Sequence, residues 1–123
     1  MQKLVTKALG PYSLFVAAPI NTRPIYFSGV VGLDQTAGAI TAKSFEEEVH
    51  VLFTNLNANL DAAGVRKQDI TKTVVYLTDM KRFDDLNKAF AEYFEGHKPA
   101  RSTVEVRGLP KNAQVEIDVT AHV

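Results

Sequence analysis

The sequence predicts one α+β domain with both helices on one face of a mixed β-sheet. Two stretches carry apolar residues at helical spacing, and several others are β-branched or alternate apolar with polar residues. Their order along the chain is strands, helix, strand, helix, strands, which is the third observation and favours a sheet with its helices segregated. The 123 residues fit a single domain spanning 1–123, with no internal repeat, low-complexity segment or linker-like stretch.

"IYFSGVVG", residues 25–32, is rich in β-branched and aromatic residues and reads as the first strand. The first helix follows "SFEE". Ser44 can cap the free amides while Glu47 reaches back, and Val49, Leu52, Phe53, Leu56, Leu60 and Ala63 form one apolar stripe. Gly64 supplies the left-handed residue that ends it. "TKTVVYL" reads as a strand. A second helix runs from about Lys81 to Glu95, with Phe83, Leu86, Phe90 and Phe94 on its stripe and Gly96 closing it. In "KPARSTVEV", Val104 and Val106 alternate with polar residues as in a half-buried strand, which Pro99 leads into. "RGLPKNAQ" has the turn residues of a hairpin connection, and in "VEIDVTAHV" Val115, Ile117, Val119 and Ala121 face away from Glu116, Asp118, Thr120 and His122. Two helices cover one sheet face only. The other, polar face is either solvated or buried against further copies of the chain with pockets between them.

Composition excludes several functions. Fourteen Lys plus Arg balance fourteen Asp plus Glu, without the basic excess of a phosphate-backbone binder. The absence of cysteine removes disulfides, thiolate nucleophiles and cysteine zinc sites. His50, His97 and His122 have no metal-ligand spacing, and "SGVVG" lacks the lysine of a phosphate-binding loop, so neither metal nor cofactor is expected. No apolar run reaches the roughly 18–20 residues that span a bilayer, and "MQKLVTKALGPYS" lacks a secretory apolar core. A cytoplasmic protein is the expectation.

Few residues carry chemistry. Arg101 offers a planar fork matched to a carboxylate, although a strand arginine more commonly forms a surface ion pair. Glu116, mid-strand between Val115 and Ile117, could deprotonate water if its pKa were raised, and is otherwise an exposed strand glutamate. Asn87 sits on the apolar stripe of its helix, where an amide pins a backbone loop. Tyr12 follows a Gly-Pro pair and could close over a small ligand or cover the core edge. Ser28 has no base placed to activate it, and it precedes a glycine that permits close backbone approach.

The run "PARSTVEVRGLPKNAQVEIDV", with "GPYS", "YFSG", "NLNANLDAAG", "DITKTVVYLTDM" and "FDDLNKAFAEYF", strongly resembles the Rid (YjgF, reactive intermediate deaminase) superfamily, also known as L-PSP endoribonuclease. The resemblance implies a chorismate-mutase-like α+β fold and a homotrimer with a site in each cleft between subunits. It also implies hydrolysis of reactive enamines and imines to 2-keto acids and ammonia without a cofactor. In that picture Arg101 clamps the substrate carboxylate and Glu116 helps position the attacking water. Tyr12, Ser28 and Asn87 lie in or beside the cleft, and Thr103 takes a position that is often cysteine. Three features depart from the family pattern. Leu14-Phe15 replace the usual Gln-Ala, Val30 stands where glutamine is frequent, and the loop before Pro99 is short. Enamine/imine deamination is the leading reading. RNA cleavage or translation inhibition, and a non-enzymatic trimer that binds small acids, are the alternatives.

Overall fold

The computed structural model describes residues 6–123. The first five residues, on which the single-domain span and the reading of the N-terminus partly rest, lie outside them. A four-strand path forms the sheet, in the order β1 (Pro24–Tyr26), β5 (Val115–His122), β3 (Ile70–Leu77), β4 (Ala100–Glu105), and the short β2 (Val30–Val31) also pairs with β5. β3 and β4 are parallel and the other pairs antiparallel, so the sheet is mixed as predicted.

Helix α1 (Phe45–Ala63) and helix α2 (Phe83–Phe94) pack on one face of this sheet. The alternation read from "VEIDVTAHV" is present: Val115, Ile117, Val119 and Ala121 are buried with Val75 and Leu77 of β3 against Leu52, Leu56, Leu86 and Phe90. Burying such side chains contributes on the order of 1.5–3 kcal/mol each, which makes this interlayer the main stabilising contact. Ser44 caps α1 by accepting from the Glu47 amide, and the Glu47 carboxylate accepts from the Lys43 amide, one residue earlier than in a capping box. Gly64 ends α1 in the left-handed conformation, φ 70°. Among the described residues no helix is long and apolar enough to cross a membrane.

Three expectations are corrected. "IYFSGVVG" is not one strand: pairing to β5 stops after Tyr26 and resumes at Val30, leaving Phe27–Gly29 as a break. Residues 107–114 are not a hairpin. β4 and β5 flank β3 on opposite sides, so this segment arches past the end of β3, using left-handed Lys111 and Asn112. α2 begins after a separate 3₁₀ turn, Met80–Arg82, and it is Glu95 that first turns left-handed, φ 51°, before Gly96.

Among the described residues neither helix covers the opposite face of the sheet, whose side chains are half-buried. It presents Glu116, Asp118, Thr120 and His122 of β5 beside Tyr76 and Val74 of β3, with Tyr26 and Val104 exposed at its margins. Tyr26 is 78% exposed.

Candidate functional site

Strand register decides which candidate residues can meet. Arg101 is paired with Thr73, and Thr73 with Val119, so all three point to the helix-covered face. Thr103 is paired with Val75 and points the same way, as the period of two predicts. Glu116 is paired with Tyr76, which is paired with Val104, and these point to the open face. The candidate residues thus fall into two groups separated by the thickness of the sheet.

The first group surrounds Arg101. The residue is only 8% exposed, so it is not the surface arginine that strand arginines more often are. Tyr12, Phe90 and Phe83 place their rings 4.7, 4.9 and 5.5 Å from the guanidinium carbon, holding the cation by its quadrupolar partners. Nη2 donates to Asn87 Oδ1 at 2.6 Å. Asn87 in turn donates from Nδ2 to Leu9 O at 3.3 Å, which is the loop-pinning role expected of it. Tyr12 OH accepts from the Leu9 amide at 3.0 Å, and the Ser13 amide donates to Pro99 O at 3.1 Å, tying the turn at Gly10–Ser13 to the approach of β4. Burial lowers the Arg101 pKa, an effect opposed by the neighbouring Tyr12 phenol, and the guanidinium remains a cation.

Among the described residues, three polar atoms in this group are buried without a partner: Arg101 Nε, Arg101 Nη1 and Thr103 Oγ1. Leaving a buried donor unsatisfied costs about 1–3 kcal/mol, and more when it is charged. Two residues apart on one strand face, these groups form a cluster whose hydrogen bonds are unmade. Such a cluster suits an oxyanion able to accept several hydrogen bonds.

The second group lies on the open face. Gly29 packs directly on Glu116: a Cβ there would fall 2.6 Å from Oε2 and 2.8 Å from the carboxyl carbon. Ser28, immediately before it, sits in the break between β1 and β2 and is exposed. Partial burial, and then the Asp118 carboxylate, raise the Glu116 pKa above its ordinary value. Asp118 itself accepts a hydrogen bond from Tyr76 OH at 2.9 Å. The sequence had singled out Glu116, and the glycine's close approach, but not Asp118 as the second influence on its charge. In the sequence Phe83 and Phe90 carry only the stripe of a helix; their contact with Arg101 arises from the tertiary fold.

Two surface grooves lie apart from the Arg101 cluster. One, about 380 Å³, runs between α1 and α2 and is lined by Val49, Phe53, Ala89 and Tyr93 together with Glu46, His50, Asp85, Lys88 and Glu92. It contains none of the six candidate residues. The other, about 350 Å³, is lined by Gly29, Val30, Asn55 and Asn59 and borders the second group through Gly29. Among the described residues no cluster of His, Cys, Asp and Glu could hold a metal ion.

The endoribonuclease L-PSP family model matches residues 3–123. A RutC family protein of Aquifex aeolicus is 39% identical over 92% of this chain and 89% of its own. The 2-iminobutanoate/2-iminopropanoate deaminase of Mus musculus is 40% identical over 93% of this chain and 82% of its own. Among solved structures, a Rid family protein of unknown function from Yersinia pestis, YyfA, aligns with a TM-score of 0.78 at 38% identity, covering 94% of this chain and 90% of that one. With the family model covering nearly the whole chain, this protein belongs to the Rid/YjgF superfamily.

Proposed function

We propose that this chain is an enamine/imine deaminase that hydrolyses small 2-imino acids to 2-keto acids and ammonia. The observation that carries the reading is the buried trio of partnerless groups, Arg101 Nε, Arg101 Nη1 and Thr103 Oγ1. A carboxylate accepts from a guanidinium edge in two parallel bonds, and each edge of the Arg101 fork contains one of the two free nitrogens. Asn87 occupies one of the two Nη2 hydrogens, so the other can still donate in parallel with the free nitrogen on its own edge. Relatives named 2-iminobutanoate/2-iminopropanoate deaminase at 35–40% identity support the substrate class.

The chemistry needs few groups. A protonated imine carbon is already electrophilic, so orientation does most of the work. Arg101 fixes the carboxylate, and the imine carbon is then one bond away. Glu116, with its raised pKa, takes a proton from water as the oxygen attacks that carbon. The C=N bond becomes a C–N single bond in a carbinolamine. Return of that proton to nitrogen makes ammonia the leaving group, and as the C–N bond breaks and C=O forms, the hydroxyl proton passes to the Glu116 carboxylate, giving the keto acid. Tyr12 and Ser28 line the path on either side, and because the Tyr12 ring stacks on the guanidinium face, the carboxylate meets the fork edge-on in the guanidinium plane.

Arg101 and Glu116 lie on opposite faces of one sheet, so a single chain does not bring the clamp to the base. A homotrimer resolves this. Its inter-subunit clefts join the Arg101 group of one copy to the Glu116 group of the next and cover the open sheet face. RNA cleavage, the activity in the family model's description, finds less support. The formal charge is zero and the candidate arginine is enclosed by aromatic rings rather than aligned on a basic stripe.

The test is imine turnover. An amino-acid oxidase generates imino acids in situ, and semicarbazide traps what the protein leaves. Wild type should outcompete the trap while folded Arg101→Ala and Glu116→Ala do not. An arginine variant with full turnover would refute the assignment.

A further inference from the structure

We propose that Gly10 is a positioning residue for the Arg101 site. Its missing side chain lets the backbone lie against the Arg101–Asn87 hydrogen bond, and so fixes which guanidinium donors stay free. The inference rests on the reading of Arg101 as a carboxylate clamp and names a residue that serves it.

The geometry is tight. A Cβ on Gly10 would fall 2.6 Å from Asn87 Oδ1, 2.9 Å from Arg101 Nη2 and 3.0 Å from Asn87 Cγ. Gly10 is not among the positive-φ residues, so backbone conformation does not call for glycine here. Contact does. Nor can the backbone easily retreat: the Tyr12 amide donates to Gly10 O at 2.9 Å, and the Leu9 amide is held by Tyr12 OH. Asn87 is anchored on α2 and also donates to Leu9 O, while Arg101 is boxed by Tyr12, Phe90 and Phe83. A methyl group at residue 10 is therefore accommodated by breaking the Nη2–Oδ1 bond and turning the guanidinium. A fork that must meet a carboxylate in two parallel bonds tolerates little rotation.

A double-mutant cycle tests this. Calorimetry with 2-oxobutanoate reads carboxylate binding without catalysis, and imine turnover separates KM from kcat. Wild type, Gly10→Ala, Asn87→Ala, the double variant and Arg101→Ala are compared. Gly10→Ala should weaken 2-oxobutanoate binding and raise KM about tenfold or more, with kcat within about threefold. On the Asn87→Ala background, where the nearest clash is gone, the same change should cost less than about threefold. Equal losses on both backgrounds, or wild-type binding by Gly10→Ala, overturn the proposal while leaving the clamp intact. Should Gly10→Ala fail to fold, recovery of folding and binding in the double variant supports the steric account, and its continued failure to fold overturns it. If wild type binds 2-oxobutanoate no better than Arg101→Ala does, the clamp reading falls and this inference falls with it.

Discussion

Asn87 and Arg101 share a 2.6 Å hydrogen bond from Nη2 to Oδ1, and the same Asn87 side chain donates to Leu9 O. One amide thus joins α2, the turn before Tyr12 and the start of β4. With Arg101 as a carboxylate clamp, the neutrality of that amide should matter as well as its shape. Asn87→Ala should raise the KM for an imino acid about tenfold, the usual effect of losing a hydrogen bond to a charged group. Asn87→Asp, nearly isosteric, should bind 2-oxobutanoate more weakly still, because a built-in carboxylate neutralises the clamp. Calorimetry on the two variants checks the order; equal affinities would contradict it.

Glu116 gives the pH dependence its sign. Partial burial and Asp118 raise its pKa, so the protonated form persists above the ordinary carboxylate range. A group raised in the folded state favours folding fully below its unfolded pKa and loses that contribution as pH rises through the folded value. Activity runs the other way, since a base must be ionised. kcat/KM should rise with pH through an apparent pKa above that of a free glutamate, and Asp118→Asn should move the limb to lower pH. Rate profiles in which the Asp118 variant shows no displacement would remove Asp118 as the cause.

Gly29 lies directly against Glu116, where a Cβ would sit 2.6 Å from Oε2 and the carboxylate would have to shift to admit it. Gly29→Ala should push the carboxylate out of line and lower kcat about tenfold or more, while 2-oxobutanoate binding at the Arg101 group stays near wild type. Paired kinetics and calorimetry separate the two effects. A variant that loses binding but keeps kcat would place Gly29 with the clamp instead.

Stability has its own polar centre. Glu48, 2% exposed on α1, accepts from the Gln114 backbone amide at 2.8 Å and from its side chain at 3.1 Å, fastening the helix to the start of β5. Glu48→Ala should destabilise the fold by about 2–3 kcal/mol, because two donors lose a charged acceptor. Glu48→Gln keeps one acceptor oxygen and should cost less. Denaturant melts of the two variants test the ordering.

The legible parts of the sequence were those governed by periodicity. The apolar stripe from Val49 to Leu60 and the alternation from Val115 to Ala121 each specify one buried face, so helix α1 and strand β5 stand where they were expected. Topology was less legible. "RGLPKNAQ" has turn residues, but nothing local says that β3 lies between the strands it connects. Arg101 and Glu116 could be singled out by residue type and by resemblance. Their separation onto opposite faces depends on the registers Thr73–Arg101 and Tyr76–Glu116, which only the folded sheet defines. Gly10 carried no signal of its own, since its need for space arises from Asn87 and Arg101, 77 and 91 residues further along the chain.

That separation is the basis of the most direct test. Arg101→Ala and Glu116→Gln, each expected to be inactive alone, are unfolded together, refolded as a mixture and assayed for imine turnover beside each variant refolded separately. If each cleft takes its clamp from one copy and its base from the next, random assembly should restore activity in about a quarter of the clefts. Sizing should then give three times the 13.5 kDa chain mass. A mixture that assembles but stays as inactive as its components would contradict a site shared between copies.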